Sequence, residues 1–161
     1  ALQKQLSLKT RELEKKGIPP FIQLEITEGV LINDDPELIE RLHAIKRLGY
    51  PLLLDDFGTG YSSLSYLKRF PIDKLKVDKS FVMGMLQDAE DRALVEAIIS
   101  MAHALNLKVV SEGVESAAHA EALKALGCEL AQGYFYAKPL PAEDFIAFIE
   151  GHSALLEKRK L

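Results

Sequence analysis

The chain has 161 residues, 48% hydrophobic and 27% charged, with a formal net charge of −4. That is enough for one globular core and too acidic for a basic surface gripping nucleic acid in bulk, so no DNA partner is expected. Its single cysteine, Cys128, excludes an intramolecular disulfide and reads as a buried, inert thiol of a reducing compartment. No apolar run approaches the roughly 20 residues that span a bilayer, and the N-terminus lacks the apolar core of a signal peptide, which makes a cytoplasmic location the expectation.

In chain order, residues 2–16 carry Leu2, Leu6, Leu8 and Leu13 among charged and amide side chains, predicting a weakly amphipathic helix stopped by Gly17 and Pro19-Pro20. Residues 21–27 are apolar and β-branched and read as a strand. Asn33-Asp34-Asp35-Pro36 then caps a helix with Leu38, Ile39, Leu42, Ile45 and Leu48 on its inner face, ending at Gly49. A second strand follows over 51–56, a short helix over 62–69 with Leu64 and Leu67 facing inward, and a third strand over 75–78. The clearest helix covers 90–105, through Leu94, Val95, Ile98, Ile99, Ala102 and Leu105. Residues 108–112 form the next strand, Ser116 caps a helix over 117–126 closed by Gly127, and a shorter strand falls near 129–134. The turn Pro139-Leu140-Pro141 opens a last helix with Phe145, Ile146, Phe148 and Ile149.

Five strands alternating with helices are the pattern of an α/β fold with a parallel sheet. A doubly wound sheet and part of a (β/α)8 TIM-type barrel both satisfy it. No Gly-x-Gly-x-x-Gly fingerprint follows a strand and no Gly-x-x-x-x-Gly-Lys loop is present, which favours the barrel. Barrels place chemistry at the C-terminal ends of their strands, where Glu25, Asp55, Asp56, Lys76, Glu112 and Gln132 fall.

The most telling string is Asp55-Asp56, which ends an apolar run and precedes Phe57-Gly58-Thr59-Gly60. Neighbouring strand side chains point to opposite faces, so paired acids make poor sheet interior; where a strand runs out into a Gly-rich loop, both can turn toward one cation. An exposed acidic turn is the plain alternative. Converging carboxylates from Glu25, Asp55, Asp56 and Glu112 would repel one another by several kcal/mol in a partly dry site, so protonation or cations must relieve them. Two divalent ions would do so, and Lys76 adds a compact positive charge beside Gln132, a neutral hydrogen-bonding arm. Taken singly, each is equally a solvated strand or loop residue.

The segments Glu25-Ile26-Thr27-Glu28, residues 55–64, Lys76-Val77-Asp78-Lys79-Ser80-Phe81-Val82, Glu112-Gly113-Val114-Glu115 and Gln132-Gly133-Tyr134 resemble, in order, the motifs of the EAL-domain family of cyclic-di-GMP phosphodiesterases. The resemblance covers residues 1–150, leaving 151–161 as a charged tail. It implies a barrel with one antiparallel strand, and hydrolysis of cyclic di-GMP to linear pGpG by a water activated between two Mg2+ or Mn2+ ions. It assigns Glu25, Asp55, Asp56 and Glu112 to metal binding, with Asp55 bridging the two sites, and makes Lys76, Glu112 and Asp56 the catalytic set, with Lys76 positioning the water. Gln132 matches a rim residue. Gly58 and Gly60 belong to a mobile loop that couples metal binding to dimerisation, steadied by Glu28. Glu115 either supports the site or favours the N-terminus of the next helix. A homodimer is implied, with upstream sensory or GGDEF domains in a parent protein that could be anchored to the inner membrane through sequence outside this chain.

The family's Glu-Ala-Leu near the start of the domain is absent, as is the asparagine ligand of the next strand. The expectation is therefore the C-terminal five βα units of an incomplete barrel, impaired in activity because metal ligands are missing. The alternative function is a catalytically inactive cyclic-di-GMP receptor.

Overall fold

The computed structural model describes residues 23–31, 35–58, 67–141, 144 and 147–148. The helix expected over 2–16, residues 62–66, Gly60, the tail and most of the last helix lie outside the described residues.

Five strands form one parallel sheet in the order β1-β2-β3-β4-β5: β1 (Leu24–Thr27), β2 (Leu52–Phe57), β3 (Lys74–Val77), β4 (Lys108–Ser111) and β5 (Leu130–Ala131). Each strand lies beside the one before it in sequence. A doubly wound sheet reverses direction at a switch point, and this one never does, so the winding is that of a (β/α) barrel.

Between the strands lie α1 (Glu28–Leu31), α2 (Pro36–Arg47), α3 (Lys79–Gly84), α4 (Ala89–Ala104) and α5 (Ala117–Ala125). Asp35, Asp78, Asp88 and Ser116 are the N-caps of α2, α3, α4 and α5 in turn, each accepting a backbone N–H of the first turn. Helix α4 ends through Asn106 at φ 58°, with the Leu107 amide donating to Ala102 O at 2.9 Å. Helix α3 was not expected. Its signal is Asp78 two residues before Ser80, whose amide donates to the Asp78 carboxylate at 2.8 Å.

Alternation divides the sheet into two chemistries. Leu52, Leu54, Phe57, Leu75, Val77 and Val109 belong to the main core with Val95, Ile99 and Leu123 of the helices. The opposite face carries Gln23 just before β1, Glu25 on it, and Leu53, Asp55, Lys74, Lys76 and Val110 on β2 to β4, with Leu53 and Val110 buried there too. A polar inner face behind an apolar outer layer is how a barrel sheet supports a site.

The other end of the sheet is closed by two similar latches. Asp73, just before β3, accepts from the Leu52 amide at 2.9 Å and pairs with Lys46 in the last turn of α2 at 2.6 Å. Glu129, just before β5, accepts from the Val109 amide at 2.9 Å and pairs with His103 in the last turn of α4 at 3.1 Å. In both, a carboxylate ties the start of one strand to the helix that leads into it.

Candidate active site

Lys76 is the centre. Only 5% of it is exposed, and its ammonium lies 3.0 Å from Glu25 Oε2, 3.3 Å from Asp55 and 3.6 Å from Glu112 Oε2. Three strands and the residue after a fourth converge here, since Glu112 directly follows β4 and its amide donates to Val77 O at 3.2 Å. Burial pulls the Lys76 pKa down; the hydrogen bond to Glu25 and the charges of Asp55, Glu112 and Glu25 outweigh it and leave the pKa above the ordinary lysine value. The mutual repulsion expected of the acids is relieved in part by this buried cation.

A bulge solves the problem of two adjacent acids. Leu54 pairs with Leu75 and Phe57 with Val77, so Asp55 and Asp56 together face the single residue Lys76. In unbroken alternation Asp56 would point into the apolar layer and Phe57 away from it. The extra residue restores Phe57 to the core, while Asp56 takes up the left-handed conformation at φ 57°, which aspartate tolerates better than most side chains. Asp56 is exposed, and its amide donates to Asp55 Oδ1 at 2.9 Å.

The remaining candidates take several positions. Glu28 is half-buried at the first residue of α1, and Glu115 is exposed. Gln132 is exposed directly after β5, its amide donating to Ser111 O at 2.9 Å and its carbonyl accepting from Val114 at 3.1 Å. Gly58, at φ 98°, packs closely on Phe81 and Ile98, where a Cβ would approach their side chains to 3.2 and 3.3 Å. Cys128 is half-buried; burial raises its thiol pKa despite hydrogen bonds with Ser111 and Leu130, as fits an inert group. Among the described residues, no three His, Cys, Asp or Glu side chains are gathered as a ready metal site.

Beside the centre opens a cleft of about 670 Å3, reaching from Glu112, Glu115 and Gln132 to Lys79, Tyr134 and Lys138. The Lys138 ammonium stands 5.5 Å over the Tyr134 ring. Sequence reasoning missed Lys79 and Lys138, which carry no local signal beyond their charge. Gly133 closes the floor: a Cβ there would lie 2.2 Å from Val114 O, so only glycine lets the loop after β4 and the turn after β5 meet.

The pattern of the EAL domain family matches residues 3–139. This chain belongs to that family. The EAL domain here is 44% identical over 141 residues to cyclic di-GMP phosphodiesterase NbdA of Pseudomonas aeruginosa, covering 87% of this chain and 18% of that protein. It is 42% identical over 131 residues to the bifunctional diguanylate cyclase/cyclic di-GMP phosphodiesterase MucR of the same organism, covering 81% of this chain and 19% of that protein. Among solved structures it resembles the PaMucR phosphodiesterase in complex with c-di-GMP, with a TM-score of 0.74 and 41% identity over 83% of this chain and 54% of that one. It also resembles the manganese/cyclic-di-GMP complex of BlrP1 from Klebsiella pneumoniae, with a TM-score of 0.71 and 32% identity over 83% of this chain and 34% of that one. The chain thus spans under a fifth of either curated relative. The tripeptide Glu121-Ala122-Leu123 is not the namesake motif in place: it lies within α5, with Leu123 in the core and Glu121 exposed.

Proposed function

We propose that this EAL domain hydrolyses cyclic di-GMP to linear pGpG with the help of two divalent cations, Mg2+ or Mn2+, as a cytoplasmic reaction. One observation carries the reading: a buried ammonium ringed by Glu25, Asp55 and Glu112 at the C-terminal ends of parallel strands. The names of NbdA and MucR, and the ligands of the PaMucR and BlrP1 complexes, support the substrate and the cation class.

The donor set fits a hard cation. Glu25, Asp55, Asp56 and Glu112 offer only carboxylate oxygens, and the side chains of Glu25, Asp55 and Glu112 keep 42%, 19% and 33% of their surface open to an arriving ion. Bound by these four residues, Mg2+ or Mn2+ would supply charge neutralisation at the phosphodiester and a more acidic water. Lys76, an ammonium beside Glu25, Asp55 and Glu112, can hold that water or a phosphoryl oxygen by hydrogen bonds. The water's proton would pass to a carboxylate of the cluster, for which Asp56 and Glu112 are the acids of the proposed catalytic set. Glu28, Glu115, Gln132 and Gly58, with Gly60, act as supports of the rim and loop. The cleft beside Glu112, with Tyr134 and two lysines, suits the planar base and negative charge of a nucleotide. In a longer protein, sensory or GGDEF modules and pairing of two copies would regulate access.

The test is chromatographic detection of pGpG from cyclic di-GMP with Mg2+ or Mn2+. Slow pGpG release from the unsubstituted chain and none from Asp55→Asn is the expected result. The lack of a ready three-ligand group among the described residues favours a second reading, a receptor that binds without turnover. Tight cyclic-di-GMP binding in EDTA, with no pGpG under any cation, would select it.

A further inference from the structure

A second lysine lies one step below the first. Lys74 Nζ donates to Gln23 Oε1 at 2.8 Å, just as Lys76 Nζ donates to Glu25 Oε2 at 3.0 Å. Gln23 and Glu25 are two residues apart at β1, and Lys74 and Lys76 two apart on β3, so the two contacts form parallel rungs. On β2 between them, Leu53 is the register partner of both Glu25 and Lys74 and is fully buried, so it lies between the two rungs. Among the described strands β1 is hydrogen-bonded to β2 alone, and the rungs are its tie to the strand beyond.

We propose that Lys74, through Gln23, is a positioning residue that fixes the lie of β1 and so the aim of Glu25 at the centre. The Glu25 side chain is 42% exposed, so packing alone does not hold it. Its own contact to Lys76 is shared with Asp55 and Glu112, and a cation entering the cluster would compete for it. The rung below is outside that competition. Its chemistry is suited to the task, because a neutral amide at position 23 accepts from Lys74 without cancelling its charge. The ammonium stays a second cation about 6.6 Å along the strand from Lys76, well within the screening length. A glutamate there would add one more carboxylate to a crowded face.

This inference rests on the reading of Glu25 as a cation ligand, and the test separates the two. The full 161-residue chain is compared with Lys74→Met, Gln23→Leu, Lys74→Arg, Glu25→Gln and the Lys74→Met/Glu25→Gln pair. Hydrogen exchange is read at the Leu24 amide, which donates to Pro51 O at 3.0 Å, and Mn2+ affinity by calorimetry. Lys74→Met and Gln23→Leu are expected to speed exchange at least about fivefold, with Lys74→Arg retaining protection. Both are expected to weaken Mn2+ binding about tenfold, an effect that disappears once Glu25 is already glutamine. Unchanged exchange overturns the tether, and a full Mn2+ loss persisting without Glu25 overturns its action through that residue. A parent chain that binds no Mn2+ sinks the cation reading instead, and the exchange rate still decides the tether. Should Lys74→Met fail to fold, Gln23→Leu carries both tests with both lysines in place.

Discussion

A lysine buried among three carboxylates is bound to them by charge and to the sheet by its stem, and the two parts are separable. Lys76→Met keeps the stem and removes the cation, leaving Glu25, Asp55 and Glu112 to face one another. The expected loss is about 1–3 kcal/mol of stability, with turnover down by a factor on the order of 10^2 to 10^4. Urea unfolding and pGpG release measure the two effects. The pH dependence follows from the raised pKa of Lys76: the ammonium's contribution is complete below the ordinary lysine value of 10.5 and is lost as pH climbs through the higher folded value. Stability should therefore fall more steeply above that pH in the parent protein than in Lys76→Met, as urea midpoints at alkaline pH would show. Equal slopes would show that the cluster contributes nothing through charge.

At the scale of elements, the bulge in β2 separates backbone need from chemical need. Asp56 occupies a left-handed position that costs a side chain energy and glycine almost nothing. Asp56→Gly is therefore expected to leave the thermal midpoint unchanged or slightly higher while abolishing turnover; a clearly lowered midpoint, or turnover kept near the parent rate, would reverse the assignment. The latches at the other end predict a pH effect of opposite sense. Burial works against ionisation of Glu129, but the Val109 amide and His103 together hold its pKa below the usual glutamate value of 4.5. Its contribution is present above that pH and lost as pH falls through the lower folded value. Glu129→Gln should cost about 0.5–1 kcal/mol at pH 7, a gap that closes in acid, as urea midpoints across pH would register.

Those same elements mark what a linear reading of the chain reaches. Helices α2, α4 and α5 were legible because their apolar residues recur at helical spacing and their caps are local; so were the strand ends that carry Glu25, Asp55, Lys76 and Glu112. The bulge was not, because it exists only in the count of β2 against β3. The latches escaped because Asp73 and Glu129 meet partners more than 20 residues away, except for the Glu129–Val109 contact at 20. Helix α3 is only six residues long, too short for an apolar repeat at helical spacing to mark it.

In the whole molecule, an apolar layer under the helices and a polar inner face divide stability from function. Most described core side chains are on the helical side of the sheet, so the site's carboxylates are not part of the main apolar core. Binding should then feed back on the fold as a unit. At Mn2+ about 100-fold above its dissociation constant, linkage adds about 2.7 kcal/mol, or a rise of roughly 5–10 °C in thermal midpoint for a chain of this size. The rise should vanish in Asp55→Asn. Calorimetric scans with Mn2+ and with EDTA read it.

The most direct measurement is anomalous scattering from a crystal of the 161-residue chain soaked in Mn2+. The account predicts a peak in contact with Asp55 and at least one of Glu25 and Glu112, beside Lys76. A peak only elsewhere on the molecule, or none at Mn2+ concentrations that saturate binding in solution, would contradict it.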